Sequence, residues 1–223
     1  VFAFVLLVGV ALAGGAVYMA KNYIGAYQNE LARERATRPE NVPTVEVYVT
    51  SRALKYGEPL KKEDYRLMIN GLVDTPLVFT YEDLERFPRV NRTFFLECAA
   101  NTGMEWAGAQ LNGSQFTHGM IHNMEYTGVT LRTLLEEAGL EAAGDLKDKW
   151  VYVEGADASS NGRSIPMEKA LDDCMIAFKA NGEALRMEHG YPVRLVVPGW
   201  EGNMWVKWLR RIEVTAQAIE SRE

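Results

Sequence analysis

Hydrophobic positions change their period several times along the chain, and each change marks an element. Val1 to Ala20 contains no charged residue, and at about 1.5 Å per residue such a run matches the hydrocarbon thickness of a bilayer. This predicts a transmembrane helix at 1–20, favoured over a cleaved secretory signal because the apolar run exceeds an ordinary signal core. From Lys21 to Arg38, Tyr23, Tyr27 and Leu31 recur at every fourth position among polar neighbours, the spacing of a helical stripe, and Pro39 ends it. Pro39 to Pro43 reads as a linker. Val45, Val47 and Val49 then alternate with Glu46 and Tyr48 as a half-buried strand, and a turn follows through Leu60.

From about Tyr65 onward the pattern is one of short strands and few helices. Tyr65 to Val73 reads as a strand with a turn at Asn70-Gly71. Thr80 with Asp83 three positions on has the form of a capping box, so a short helix follows through Leu84 until Arg86, Pro88 and Arg89 end it. Phe94, Phe95 and Leu96 form an apolar strand that runs into Cys98, where small residues take over. Thr130 ahead of Leu131, Leu134 and Leu135, with Gly139 behind them, predicts a capped amphipathic helix. Trp150–Val153, Ile176–Lys179, Tyr191–Val197 and Trp208–Val214 read as further strands, with Asn181-Gly182 as a turn. Strands and helices do not alternate regularly. The expected fold class is therefore α+β, mixed sheets with short helices, and no βαβ repeat.

Charge and cysteine usage narrow the chemistry. A net charge of -6 does not supply the basic surface that phosphate backbones require, so nucleic acid is not the expected partner. Two cysteines, Cys98 and Cys174, are too few for a disulfide framework. A thiol just past a buried strand is held on one side and open on the other, which suits Cys98 as a soft metal ligand. His118 and His122 have the i,i+4 spacing of a zinc pair, but Gly119 lies between them and no third ligand is near. Hydrogen bonding suits His118 better, and His122 and His189 read as ordinary satisfied histidines. Arg163 and Ser164, in a polar loop after Trp150–Val153, have the donors of an anion site. Lys207 offers a compact cation at the end of a glycine-permitted loop. Trp200, Trp205 and Trp208 read as packing groups. No C-x-x-C-H haem motif occurs.

Phe94 to Asn101 resembles the strand and loop of the sulfite oxidase family, in which the Cys of a C-A-[AG]-N setting binds molybdenum. The likeness continues through Tyr126-Thr127-Gly128-Val129, Glu154-Gly155-Ala156-Asp157, Arg163-Ser164-Ile165-Pro166, Asn181-Gly182-Glu183, Gly190 to Trp200 and Val206 to Arg211. It implies a sulfite-oxidase-like molybdopterin-binding domain over 65–215, followed by a tail at 216–223. It also implies molybdenum-molybdopterin held by Cys98, Asn101, His118, Arg163, Ser164 and Lys207, with Cys98 as the metal ligand. Phe178 stands where relatives usually carry a catalytic Tyr, and Gly103 where they often carry an Arg. Neither departure removes the metal ligand, but together they weaken the expectation of sulfite as substrate and of turnover, with sulfite or protein-bound sulfane sulfur as the expected substrates.

The nearest likeness is to the sulfane or sulfite dehydrogenase subunit of bacterial sulfur oxidation, implying a sulfur-oxyanion or sulfane substrate and a c-type cytochrome as electron acceptor. Residues 1–64 are similar to Flp pilus assembly proteins of the CpaB type. That implies a stalk and linker at 21–43 and a partial SAF-like β module at 44–64, a non-enzymatic assembly role being the rival reading. Lys21, Arg33, Arg35 and Arg38 would by charge keep their flank cytoplasmic. Both resemblances place the main domain in the periplasm instead, on a single-pass inner-membrane anchor. Relatives continue into an immunoglobulin-like dimerisation domain, so homo-oligomerisation is left open.

Overall fold

The computed structural model of the chain describes residues 21, 60–103, 106, 113–157 and 161–220. The expected membrane span at 1–20, nearly all of the stalk and linker, and the SAF-like module as far as Pro59 lie outside these residues. Among the described residues no helix is long and apolar enough to cross a membrane. The chain divides into two units, Val1–Glu46 and Val47–Glu223, and every element below belongs to the second.

Two five-stranded sheets form the fold. The first has the order β2 (Leu77–Thr80), β1 (Arg66–Gly71), β10 (Leu209–Thr215), β5 (Trp150–Gly155) and β6 (Gly162–Pro166). β1 and β10 run parallel, Met68 opposite Arg211 and Gly71 opposite Val214, so the sheet is mixed. The second has β3 (Val90–Glu97), β4 (Ile121–Thr130) and β7 (Met175–Ala180) in antiparallel order. Both β8 (Glu183–Ala184) and β9 (Arg194–Val196) pair with β7. Asn181 and Gly182 both have positive φ, 50° and 79°, as the two central residues of a tight hairpin between β7 and β8 require.

The helices are short and lie where the caps predict them. α1 (Tyr81–Arg86) starts at Thr80, whose side chain accepts from Asp83 N–H while the Asp83 carboxylate accepts from Thr80 N–H. α2 is Ser114–His118, and α4 is Met167–Asp172. α3 (Leu131–Glu137) has Thr130 as its cap, buries Leu131, Leu134 and Leu135, and is followed by Gly139 in the left-handed region. The α+β class with mixed sheets therefore holds for the described residues.

One hydrophobic core joins both sheets, with Leu67, Ile69, Val153, Ile176, Leu195 and Ile212 fully buried. Of the stretch Tyr191–Val197 only Arg194–Val196 is strand. The peptide before Pro192 is cis, and proline supplies no N–H to a ladder. Leu195 N–H instead donates to Val206 O and Leu209 N–H to Val193 O, so this short strand carries the segment that leads into β10.

Candidate functional site

The site is assembled at the end of β3. Cys98 follows the last strand residue, and the chain reverses at once: Cys98 N–H donates to Met120 O, Asn101 N–H to Cys98 O and Thr102 N–H to Thr117 O, at 2.9, 2.9 and 2.7 Å. Asn101 braces this turn with its side chain, donating to Glu97 Oε1 at 2.8 Å and accepting from Met120 N–H at 3.2 Å. The sulfur is left exposed while its backbone is fixed. Gly202 packs against the same turn, where an added Cβ would lie 3.0 Å from Glu97 O and 3.5 Å from Cys98 Cα. A side chain there would be a tight fit, which glycine avoids.

Cys98 opens onto a cavity of about 380 Å³, within the roughly 300–1,000 Å³ of small-molecule sites. Leu96, Cys98 and Gly202 form one wall; Asp157 and Asn161, between β5 and β6, contribute to another; Arg194, Trp205, Lys207 and Trp208 are also among the lining, with His122, His189 and the acidic Glu188. Arg194 is 4% exposed. Its guanidinium donates to His189 O and Trp205 O, each at 3.1 Å, and lies 5.6 Å from the Trp205 ring. Among the described residues none of its partners is a carboxylate. Burial pulls its pKa below the ordinary arginine value, with Tyr126 opposing the shift. Lys207 donates to Glu188 O at 3.0 Å and sits 4.3 Å over the Trp208 ring.

Two histidines stack in the lining, their centroids 6.0 Å apart, and His122 Nε2 meets the Tyr126 hydroxyl at 3.2 Å. Burial first, then His189 and Arg194, lower the His122 pKa. A lowered pKa makes a further positive charge beside Arg194 less favourable.

Of the residues singled out from sequence, Cys98 and Lys207 line one cavity and Asn101 braces it. Trp205, Trp208, His122 and His189, read from sequence as packing or ordinary groups, line it too, and the remaining candidates are placed elsewhere. Ser164 is engaged by the C-terminal segment, donating to Ile219 O at 2.8 Å and accepting from Ile219 N–H at 2.9 Å. Arg163, on β6, donates to Gly162 O, and neither residue is among the lining. Phe178 is 1% exposed and packs edge-to-face on Tyr81, 6.0 Å between centroids, so its ring belongs to the core and not to the cavity. His118 ends α2 with Nδ1 2.6 Å from the Thr117 hydroxyl, while His122 is in β4, so the pair shares no helix. Among the described residues no group of three or more His, Cys, Asp or Glu forms a metal cage.

Sequence reasoning missed Arg194, Asp157, Asn161, His122 and His189 as lining groups. A signal existed for the first: an arginine in the middle of Val193-Arg194-Leu195-Val196-Val197 is a charge in a buried apolar run, which needs a compensating partner.

Residues 55–222 match the family model described as an oxidoreductase molybdopterin binding domain. The chain belongs to that family. It is 36% identical over 172 residues to the nitrate reductase [NADH] of Petunia hybrida, covering 71% of this chain and 19% of the relative. Mitochondrial sulfite oxidase of Homo sapiens is 34% identical over 164 residues, covering 70% of this chain and 30% of the relative. The crystal structure of the sulfane dehydrogenase SoxCD from Paracoccus pantotrophus superposes with a TM-score of 0.69 at 70% identity. That match covers 74% of this chain and 41% of the other. The chain thus spans less than half the length of each.

Membership identifies the cofactor as molybdenum-molybdopterin. The residues present fit it: a buried guanidinium without a carboxylate partner among the described residues suits a phosphate-bearing ligand, and an exposed thiol in the same cavity is a soft donor for a transition metal.

Proposed function

We propose that this molybdopterin oxidoreductase domain oxidises a sulfur compound, with protein-bound sulfane sulfur favoured over sulfite, and passes the electrons to a c-type cytochrome. The cavity that joins the Cys98 thiol to Arg194 and Lys207 carries the reading, and the 70% identity to a structure titled sulfane dehydrogenase directs it to sulfur. When bound, molybdopterin supplies two-electron oxygen-atom transfer, with water as the oxygen source and an acceptor protein as the electron sink.

The chain's own residues do the holding and shaping. Cys98 would supply sulfur to the metal from a turn that hydrogen bonds keep rigid. Arg194 and Lys207 would offset the negative charge of the pterin phosphate and of oxyanion groups, Arg194 from a buried site where its charge is weakly screened. Asn101 keeps the turn in register, and His122 stays neutral. Gly103 is exposed and, having no side chain, supplies no cation at the position where relatives often carry an Arg.

Elemental analysis of protein made with cofactor biosynthesis intact tests the proposal. Molybdenum near one atom per chain is expected, falling to background in Cys98→Ala; equal contents in the two proteins would remove the thiol from the metal site. The non-enzymatic assembly reading has less support, because the family match over 55–222 contains the entire cavity. We further place the domain in the periplasm, attached through residues 1–20. A membrane-impermeant protease that spares the domain in outer-membrane-permeabilised cells, while cutting a periplasmic control, would put it in the cytoplasm.

A further inference from the structure

Two of the cavity's walls come from segments that flank β5 and β10, neighbouring strands whose pairing is irregular at one step. Leu209 faces Gly155 and Arg211 faces Glu154, so Arg210 is the extra residue of a bulge in β10. Immediately before it, Trp208 has φ 51°, a left-handed conformation that a bulky residue adopts only when its surroundings impose it. Ala156 N–H donates to Trp208 O at 2.8 Å, and the Trp208 indole donates to Met187 O at 3.2 Å. Through this reversal Lys207 and Trp208 reach the lining, while β5 runs on from Gly155 to Asp157 and Asn161.

A single carboxylate spans the irregular step. Glu154 is 7% exposed and is paired with both bulge arginines: an Arg210 Nη2 ion pair, and Arg211 Nη1 at 3.7 Å. Arg211 is also paired with Glu213 and donates to Asn70 Oδ1 at 3.4 Å. Consecutive residues of a regular strand project to opposite faces, so two neighbouring guanidiniums meet one carboxylate only because the bulge turns them together. Without that charge Arg210 would lose its carboxylate beside Arg211, which keeps Glu213, and the bulge would lose the interaction that favours it.

We propose that Glu154 is a positioning residue for the molybdopterin cavity: by pairing Arg210 and Arg211 it locks the bulge that turns Lys207 and Trp208 inward, and so sets how firmly the cofactor is retained. The inference rests on the cofactor reading above and adds to it a residue that does not line the cavity. Outer groups that orient a site's ligands typically change affinity by about 10–100-fold when removed.

The test is a double-mutant cycle on the loaded protein, with the rate of molybdopterin release, read from pterin fluorescence after gel filtration, as the measured quantity. Glu154→Gln and Lys207→Ala are each expected to speed release about tenfold. Because Glu154 acts in part through Lys207, the double variant is expected to release more slowly than the product of the two single effects. A carboxylate that only stabilised the fold would give losses that multiply, as independent sites do, and a release rate in Glu154→Gln equal to that of the parent would likewise overturn the proposal. Should Glu154→Gln not fold, Glu154→Asp takes its place in the cycle, with partial recovery of retention expected. A parent protein without molybdopterin would instead sink the cofactor reading, which separates the two failures.

Discussion

The two sides of the cavity hold their functional groups by opposite means. Cys98 is exposed, and its turn is fixed by backbone hydrogen bonds to Met120, Asn101 and Thr117 rather than by burial. Arg194 lies in a three-residue strand whose every residue is buried, and some of its five N–H groups are held by backbone carbonyls. A metal ligand must be reachable, so rigidity there comes from the loop's own hydrogen bonds. A charge meant for an anionic ligand gains strength from exclusion of water, so it is placed inside, at a cost in desolvation that the folded protein carries.

The largest expected effect that would break this contrast is in Arg194→Met. Removing the buried cation relieves its desolvation but orphans the His189 and Trp205 carbonyls, at about 1–3 kcal/mol each. These oppose one another. Cofactor-free protein should therefore change stability by less than about 2 kcal/mol in denaturant titration, while molybdopterin retention falls at least about 100-fold. A large loss of stability with normal retention would make Arg194 a structural residue and erase the distinction.

An intermediate effect is expected at Gly202. Valine there would drive its Cβ toward Glu97 O and Leu96, and overpacking of this kind costs about 1–3 kcal/mol. The backbone next to Cys98 has to shift, so molybdenum content should drop together with the thermal midpoint. Normal metal content in Gly202→Val would show that the thiol does not depend on the packing behind its turn.

The smallest effect concerns pH. The folded-state pKa of His122 lies below its ordinary 6.5 through burial and the nearby His189 and Arg194. The unfolded chain therefore takes up this proton first as pH falls, so stability declines from about pH 6.5 downward and levels off once the folded-state pKa is passed. His122→Gln should flatten that part of the stability profile measured by urea titration. An unchanged slope would show that the ring is not held neutral by its surroundings.

Much of the fold was legible because its signals are local. Thr80 with Asp83, and Thr130 with its leucines, specify helix starts through atoms a few positions apart, and both caps are present in the structure. Asn181-Gly182 specifies its hairpin through the conformations those residues tolerate. Tyr191–Val197 was less legible, since an apolar run does not tell which residues will find ladder partners; three did. The site shows the same division. Cys98 could be recognised from its own surroundings, an apolar stretch that gives way to small residues, although the expected buried strand is in fact one of alternating half-buried and exposed residues, Phe95 among the exposed.

Sequence by itself determined the strand-rich α+β character, the capped helices, the exposed thiol at the end of β3 and the family resemblance. Tertiary structure decided which polar groups share a cavity. Arg163 and Lys207 looked alike as candidate anion binders, yet only Lys207 lines the cavity with Cys98. Ser164 was engaged by Ile219, 55 positions away, and Phe178 turned into the core against Tyr81. The physical reason is that caps, turns and alternation depend on neighbours in the chain, whereas the direction a side chain takes depends on sheet register, and register is set by strands that the sequence keeps far apart.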